Sequence, residues 1–415
     1  MERGLPGVLA RVAGPAREMW SPALSSLLFL QVLSGILVAP LFSLFPVYVE
    51  GHLHLPASFT GILRALFVLM GGITAFAGAY LVDLLGRKRA FLLGMTGVIA
   101  AACMFLTGSP AWMLLLGVYA GLMFGLGSVA GQAYMMDAVS ARSLGLATAF
   151  YFMSGTAGNA IGNLAAGRLD DVPGYFRLLG WAMVIGQVAV ILAAAWSMPE
   201  VAKSGPEEKA PSGGGSLREL VRRREVQLLV LLRILPTVYW GVATLVIPLL
   251  LFRLTGKRAA ATDFTAISLV VSALCQVAMG RLVDHYGPRR PVVLAAVTLA
   301  LSAVALALLA RHVWAITLFG VVGAGAAWSI SVSMTTIIRL LSEPETRARL
   351  LGLSHGAWSV GFVAGTLAAG WIASRPGRED SALLLAAVCC LVAALSAVGL
   401  VARLRGEGPS APGTA

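Results

Sequence analysis

Long apolar runs alternate with short polar segments from residue 25 to residue 402 of the chain. An α-helix needs about 20 apolar residues to cross roughly 30 Å of hydrocarbon, and each run has about that length. Helices are predicted rather than barrel strands, because a barrel strand has about half this length and backbone polar groups in lipid must be satisfied internally. Twelve spans result, at residues 25–49, 58–81, 90–108, 111–136, 144–168, 175–197, 227–252, 262–283, 290–310, 312–338, 348–373 and 381–402.

The twelve runs fall into two similar halves. Tyr80–Arg89 (YLVDLLGRKR) returns 201 residues later as Arg281–Arg290 (RLVDHYGPRR), and Gly158–Gly167 (GNAIGNLAAG) returns 203 residues later as Gly361–Gly370 (GFVAGTLAAG). A duplicated membrane bundle is the usual build of a secondary transporter with its site between the halves. The predicted fold is an all-α integral membrane protein with twelve transmembrane helices in two pseudo-symmetric six-helix bundles.

Composition and charge support a membrane protein and indicate its orientation. Apolar residues make up 58% of the chain and charged residues only 12%, about half the charged fraction of a soluble globular protein. Of the 31 Lys and Arg residues, 21 lie in the termini and in loops on one side, and 8 lie in loops on the other. By the positive-inside rule both termini are cytoplasmic, in a bacterial-type inner membrane. This asymmetry explains the net charge of +12 without a nucleic-acid partner.

Polar segments set the predicted domain boundaries. A cytoplasmic arm (1–24), an N-terminal bundle (25–197), a linker (198–226), a C-terminal bundle (227–402) and a cytoplasmic tail (403–415) follow one another. Charged residues interrupt the first 20 residues, so no cleaved signal is predicted. Within the linker, Ser216 and Glu219 form a capping-box pattern that predicts a short amphipathic helix. Its arginines either bind the anionic inner leaflet or, as we favour, only set the topology.

The first repeat resembles the signature of the major facilitator superfamily, G-x-L-a-D-x-x-G-R-K/R, which joins helices 2 and 3 and, more weakly, helices 8 and 9. The first copy departs from the signature at Ala79, where a glycine is expected. The resemblance extends over essentially the whole chain. It implies alternating access of a central cavity in a transporter, not an enzyme, with no cofactor. The matching residues are Leu81, Asp83, Gly86, Arg87, Lys88 and Arg89 in the first copy, and Gly280, Leu282, Asp284, Gly287, Arg289 and Arg290 in the second.

The resemblance also implies a cytoplasmic latch. In the family, the signature aspartate meets the start of helix 11 and neighbouring charges when the cavity faces outward, which here places Asp83 against the helix that starts near Leu350. Alternatively, these charges only fix the topology. The latch residues implied are Asp83, Gly86, Arg87, Arg89, Asp137, Asp284, Gly287 and Arg290.

Span 5 carries glycines at 155, 158, 162 and 167. Small residues let helices approach closely, so packing explains them. The stretch also resembles the motif G-x-x-x-G-P-x-x-G-G of drug:proton antiporters, although Asn159 replaces the proline and Asn163 the second glycine of the pair. The resemblance implies an exporter of a drug-like or amphipathic compound.

In the family, spans 1, 4, 7 and 10 line the cavity. Charged groups within a span cost roughly 3 kcal/mol each, so Arg64 and Arg233 need an explanation. Two arginines without a carboxylate favour an anionic solute, and the alternative function is an importer or exchanger of an anionic metabolite. Otherwise the side chains extend to the headgroups, an interpretation favoured for Arg64 and left open for Arg233. The predicted wall residues are Gln31, Ser34, Phe42, Gln132, Tyr134, Arg233, Tyr239, Trp240 and Trp328.

Proton coupling needs a group that titrates in the transport path. The candidates are His355, Glu50 and Asp137. Four cysteines lie in predicted spans without metal-ligand spacing, so no metal site is expected. Paired prolines, Pro40 with Pro46 and Pro236 with Pro248, predict kinks in spans 1 and 7. We therefore expect a monomer in the lipid bilayer that binds a small molecule, with protons as the candidate coupling ion. The alternative from another class is a non-transporting sensor.

Overall fold

The computed structural model describes residues 20–140, 144–169, 172–201, 221–342, 344–375 and 379–406. Twelve long helices lie in these ranges, each within a few residues of a predicted span, so the predicted all-α architecture is confirmed. They are α1 Pro22–Ser43, α2 Ala57–Leu85, α3 Arg87–Cys103, α4 Pro110–Ala138, α5 Leu144–Gly167, α6 Tyr175–Ser197, α7 Arg224–Thr255, α8 Arg258–Tyr286, α9 Arg289–Leu308, α10 Val313–Leu341, α11 Pro344–Ala373 and α12 Glu379–Gly406.

Ten of these helices are long and apolar enough to cross a membrane, counted over the described ranges. The other two are α3, which has only 17 residues, and α5, which is rich in glycine and asparagine. In the sequence, each of the two lies between helices that are long and apolar enough to span a membrane. The linker helix predicted near Ser216 falls largely within residues 202–220, outside the described part of the chain.

The signature repeats form the tight turns that their glycines predict. Gly86 alone separates α2 from α3 with φ 85°, and Gly287 follows α8 with φ 71°. L-residues with a side chain rarely adopt positive φ, so glycine is the residue that allows these turns without strain. The two turns occur at equivalent places in the two halves of the chain.

The proline kinks predicted for spans 1 and 7 have different outcomes. The first span is broken: α1 ends at Ser43, a three-residue helical segment Phe45–Val47 follows, and Tyr48–His52 form a π-helical turn. By contrast, α7 runs without interruption although Pro236 and Pro248 lie inside it. Only the first pair of prolines therefore coincides with a break in the helix.

The chain divides into two compact units. Unit 1 contains residues 1–42 and 69–206, and unit 2 contains residues 43–68 and 207–415. The core of unit 1 includes Leu27, Met95, Leu126 and Tyr134, contributed by α1, α3 and α4. In unit 2, α7 packs mainly against α11 and α12, and 78% of its most apolar stretch is buried.

The division differs from the sequence-based boundaries at residues 43–68, which were expected in the N-terminal bundle. Instead, Ala57 packs with Leu249 of α7 and Ala373 of α11. A Cβ on Gly61 would lie 3.2 Å from the Cα of Gly370 in α11, so the two backbones are in close contact there. This packing groups the segment with unit 2.

The second repeat has the same packing role in both units. In unit 1, a Cβ on Gly158 of α5 would collide with the backbone of Val32 in α1; in unit 2, a Cβ on Gly361 of α11 would collide with the backbone of Ile234 in α7. Without side chains at these positions, the paired helices approach closely, as small residues allow in membrane proteins. Close packing therefore explains Gly158 and Gly162 of span 5, and the exporter subclass stays a prediction.

Substituting Gly361 by alanine is expected to lower the thermal unfolding midpoint in detergent by about 3–10 °C. Overpacking of this kind costs about 1–3 kcal/mol, and each kcal/mol corresponds to about 2–4 °C in a chain of this class. Gly352→Ala on the same helix is the control, because nothing lies within 4 Å of its added Cβ. Equal midpoints for the two variants would contradict the close approach of α11 and α7.

Candidate functional site

A cavity lies within unit 2, bounded by α7, α10 and α11. It contains about 400 Å³ of empty space, counting the part that is open to solvent. Its wall combines one cation, three tryptophans, two hydroxyl side chains and four apolar side chains: Arg233, Trp240, Trp328, Trp358, Thr237, Ser331, Leu232, Pro236, Ala327 and Ile330.

The helical repeat explains why these residues share one wall. Side chains three or four residues apart lie on the same face of a helix. On α7 this spacing joins Arg233, Pro236 and Trp240, and on α10 it joins Trp328 and Ser331. Both α7 and α10 therefore present a tryptophan and at least one polar group to the cavity.

Arg233 lies nine residues, or about 13 Å, from the start of α7. Its Nη1 donates a hydrogen bond of 2.7 Å to Ser331 Oγ of α10. Its Nε is buried and has no hydrogen-bond partner, and no carboxylate of the described residues forms an ion pair with it. The side chain thus crosses to α10 at the cavity instead of extending to the headgroups.

The aromatic part of the wall is a set of tryptophans with different orientations. The rings of Trp240 and Trp328 meet edge to face, with centroids 5.8 Å apart and planes at 78°. Trp358 stacks on Phe362 of its own helix, with ring centroids 5.6 Å apart. Such rings offer large, rigid surfaces for planar apolar groups.

Three of the nine predicted wall residues, Arg233, Trp240 and Trp328, line this cavity. Two others are corrected, because Tyr134 and Tyr239 are buried in the cores of their units with 0% and 1% exposure. Tyr134 donates its hydroxyl hydrogen to the carbonyl oxygen of Pro199, at 2.8 Å. Tyr239 precedes Trp240 by one residue, which turns it about 100° away on the helix.

The remaining four predicted wall residues belong to unit 1. Gln31 of α1 lies near Gly155 of α5, and the amide of Gln132 donates to the Ser128 carbonyl oxygen of its own helix at 3.1 Å. Ser34 is partly buried, and Phe42 is 40% exposed. Their contribution to a substrate site stays a prediction.

Sequence reasoning missed Ser331 and Trp358. Ser331 follows Trp328 by three residues, so the α10 face chosen for Trp328 already contained it. Trp358 lies on α11, which was not among the spans expected to line the cavity. Its position three residues after His355 was the available signal.

The charges at the first signature turn form a compact cluster in unit 1. Arg87 binds Asp83 through Nη1 at 2.6 Å and Asp137 through Nε at 2.9 Å. The Asp137 side chain is only 11% exposed, so Arg87 neutralises a largely buried carboxylate. The structure thus joins three of the predicted latch residues. Arg89 and Arg290 are exposed, and the side chain of Asp284 is outside the described part.

Glu50 and Arg64, two further charged residues of unit 2, contact α7. Arg253 of α7 donates from Nε to Glu50 Oε1 at 2.6 Å. Arg64 is 9% exposed and donates from Nη1 to the carbonyl oxygen of Thr244 at 2.7 Å. The interpretation that Arg64 extends to the outer headgroups is therefore wrong, because its guanidinium is held by the α7 backbone.

Of the three coupling candidates, only His355 lies on a helix that bounds the cavity. It is exposed and precedes the wall residue Trp358 by one turn of α11. Glu50 and Asp137 are instead held in the ion pairs described above. Over the described ranges, no cluster of three His, Cys, Asp or Glu side chains is placed to hold a metal ion.

Comparison with solved structures gives transporters of the same fold. A bacterial homologue of the human lysosomal transporter Spinster, in an inward-facing and unoccupied conformation, superposes with a TM-score of 0.78 at 16% identity, covering 94% of this chain and 98% of its own. A mutant of the nucleoside transporter NupG gives 0.73 at 13% identity, with coverage of 92% and 99%. A POT family transporter in complex with a thioalcohol-conjugated peptide gives 0.71 at 12%, with coverage of 92% and 96%.

No curated protein matches the chain by sequence. The profile that describes the Major Facilitator Superfamily, however, matches residues 27–264 and 240–415, which together cover nearly the whole chain. This match agrees with the twelve helices, the two signature turns and the similar structures. The protein is a multi-pass transporter of the membrane and not an enzyme, and it belongs to the major facilitator superfamily.

Proposed function

We propose that this transporter moves an amphipathic, drug-like organic compound out of the cell by alternating access. The observation that carries the proposal is the cavity of unit 2, in which three tryptophans and a cation share one wall. Binding sites for organic molecules are typically lined by apolar and aromatic groups, with a few polar groups that fix the orientation of the ligand. A planar apolar body with one polar end suits this wall.

The similar structures support a small organic cargo. One is named as a nucleoside transporter, and another was solved with a conjugated peptide. Both names describe organic solutes that combine polar groups with an apolar part. This likeness supports the size and general chemistry of the cargo, while the choice of compound rests on the cavity of this chain.

We also propose that the protein is a monomer in the cytoplasmic membrane with both termini inside the cell. The charge asymmetry of the loops supports this placement of the termini. Protons are the proposed coupling ion, and His355 is the proposed carrier because it lies one turn before the wall residue Trp358 on α11. In an antiporter, substrate and proton bind in turn, so the group that carries the proton must lie near the substrate. His355 meets this requirement within unit 2.

Uptake or exchange of an anionic metabolite is the second candidate, and Arg233 favours it. A proton on His355 would add a second positive charge near Arg233. An anion bound at Arg233 would offset that repulsion, so the anion and the proton would bind cooperatively. Cooperative binding predicts cotransport rather than antiport.

Transport is tested with purified protein in liposomes. We expect a thermal-shift screen of chemically diverse solutes to find aromatic amphiphiles, and any such solute to show counterflow in proteoliposomes. An imposed proton gradient should then drive antiport from the compartment that corresponds to the cytoplasm. Gradient-driven movement of solute with protons would favour the second candidate. Binding without flux under any gradient would contradict transport and leave a non-transporting sensor.

A further inference from the structure

Arg233 places a positive charge at the cavity without a negative partner among the described residues. Its recorded partner is the neutral hydroxyl of Ser331, and its Nε is buried without a hydrogen bond. A buried charge is costly unless it is paired. The described residues of unit 2 therefore supply no counter-charge that would offset the cost of this guanidinium.

The surroundings of Arg233 define what could supply that charge. Arginine offers several donors in a planar fork, which matches the geometry of a carboxylate. Ser331 Oγ accepts from Nη1 and Nε is buried, so Nη2 and the second Nη1 hydrogen are the donors left for a ligand. The ligand group that fits is a planar oxyanion.

The tryptophans define the rest of the ligand. Trp240 lies seven residues after Arg233, two turns along α7, and it meets Trp328 edge to face. A ligand whose oxyanion lies at Arg233 would extend its body along these rings. Seven residues at a rise of 1.5 Å per residue separate Arg233 and Trp240 by roughly 10 Å along the helix axis. A carboxylate attached to about two fused rings has a comparable length.

We propose that the cavity is a subsite for aromatic carboxylates, in which Arg233 and Ser331 bind the carboxylate and Trp240 and Trp328 pack against the ring system. This inference rests on the proposed transport function and specifies an anionic solute, as in its second candidate. The carboxylate supplies the negative charge that the cavity lacks, so binding an anion is favoured over binding a neutral or cationic analogue of the same shape.

The test measures binding of three probes to purified protein by isothermal titration calorimetry: naphthalene-2-carboxylate, the neutral naphthalene-2-carboxamide and the cationic naphthalen-2-ylmethylammonium. We expect the wild type to prefer the carboxylate over the carboxamide by about 10- to 100-fold, as a hydrogen bond to a charged group adds roughly that factor. Arg233→Gln should remove this preference and leave carboxamide binding unchanged, which also shows that the variant is folded. Arg233→Lys should retain part of the preference.

Two further variants separate the parts of the subsite. Trp328→Ala should weaken carboxylate and carboxamide by a similar factor, because the ring contacts the shared body; Trp328 is 37% exposed, so its truncation removes little core packing. Arg311→Gln is the charge-matched control, since Arg311 is exposed and outside the cavity. It should leave all three affinities unchanged.

Each outcome decides the inference. Equal affinity of the wild type for carboxylate and carboxamide, no binding of the carboxylate at millimolar concentration, or an unchanged preference in Arg233→Gln overturns it. Counterflow of another solute in the same preparation would then leave the transport function standing. Conversely, Arg233-dependent selectivity without any flux would support the subsite and contradict transport.

Discussion

Cross-linking residue 50 to residue 253 is expected to reduce solute flux to the background of protein-free liposomes. Glu50 and Arg253 form an ion pair within unit 2. Glu50→Cys and Arg253→Cys, introduced together after replacing the four native cysteines by serine, would be joined by a short bis-methanethiosulfonate cross-linker. Flux in proteoliposomes should return when a reductant removes the cross-link.

The physical reason is the course of α2. This helix runs without a break from Ala57 to Leu85, but its residues 57–68 belong to unit 2 and its residues 69–85 to unit 1. If transport requires the two units to move, the segment 43–68 must separate from α7 or α2 must bend. A cross-link at 50 and 253 prevents the separation but not the bend, so loss of flux is the result expected if transport uses the separation.

A second cysteine pair provides the matched control. Glu225 of α7 and Arg403 of α12 form an ion pair at 3.1 Å, also within unit 2, but neither lies in the segment 43–68 that continues into unit 1 through α2. Cross-linking Glu225→Cys to Arg403→Cys should leave flux nearly unchanged. Undiminished flux through molecules cross-linked at 50 and 253 would show that this segment stays in place during transport.

The second large effect is expected for Arg87→Ala, which should lower the thermal midpoint by about 6–12 °C. Removing one partner of a largely buried ion pair costs about 3–5 kcal/mol because the other charge, here on Asp137, loses that partner, and each kcal/mol corresponds to about 2–4 °C. We expect a cost near the lower end of this energy range, since the side chains of Arg87 and Asp137 both retain some contact with solvent. Arg89→Ala is the control, because Arg89 lies two residues further along the same helix and is exposed.

A double-mutant cycle measures the coupling. Arg87→Ala with Asp137→Ala should be less destabilising than the sum of the two single changes, because the double variant leaves no unpaired charge in the pair. Additive effects would show that Arg87 acts through packing alone. Asp83→Asn should change stability little, as this carboxylate is 35% exposed, but it should alter the transport rate if the cluster acts as the proposed latch.

The helices were predictable because the bilayer imposes one rule on every span. About 20 apolar residues in sequence suffice to place a span, and α6 lies at the predicted residues 175–197. Gly86 and Gly287 were predictable for a similarly local reason, since a turn with positive φ needs glycine. The two repeats also identified equivalent packing positions, Gly158 and Gly361.

The site was only partly predictable. Membership of a lining helix does not say which face of it meets the cavity, so Trp240 was placed correctly while its neighbour Tyr239 is in the core. Trp358 was missed because α11 was not among the spans expected to line the cavity. Arg64 was misinterpreted because its partner, the carbonyl oxygen of Thr244, lies 180 residues away and carries no side-chain signal.

The sequence by itself determined the number and type of the helices, the duplication, the signature turns and the presence of two intramembrane arginines, since each follows from local composition or spacing. Only the tertiary structure decided which side chains meet: Arg233 with Ser331, Arg87 with both aspartates, and residues 43–68 with unit 2. Hydrophobic length places a helix in the membrane, but its rotation is set by close packing with distant helices, and that rotation selects the residues of the site.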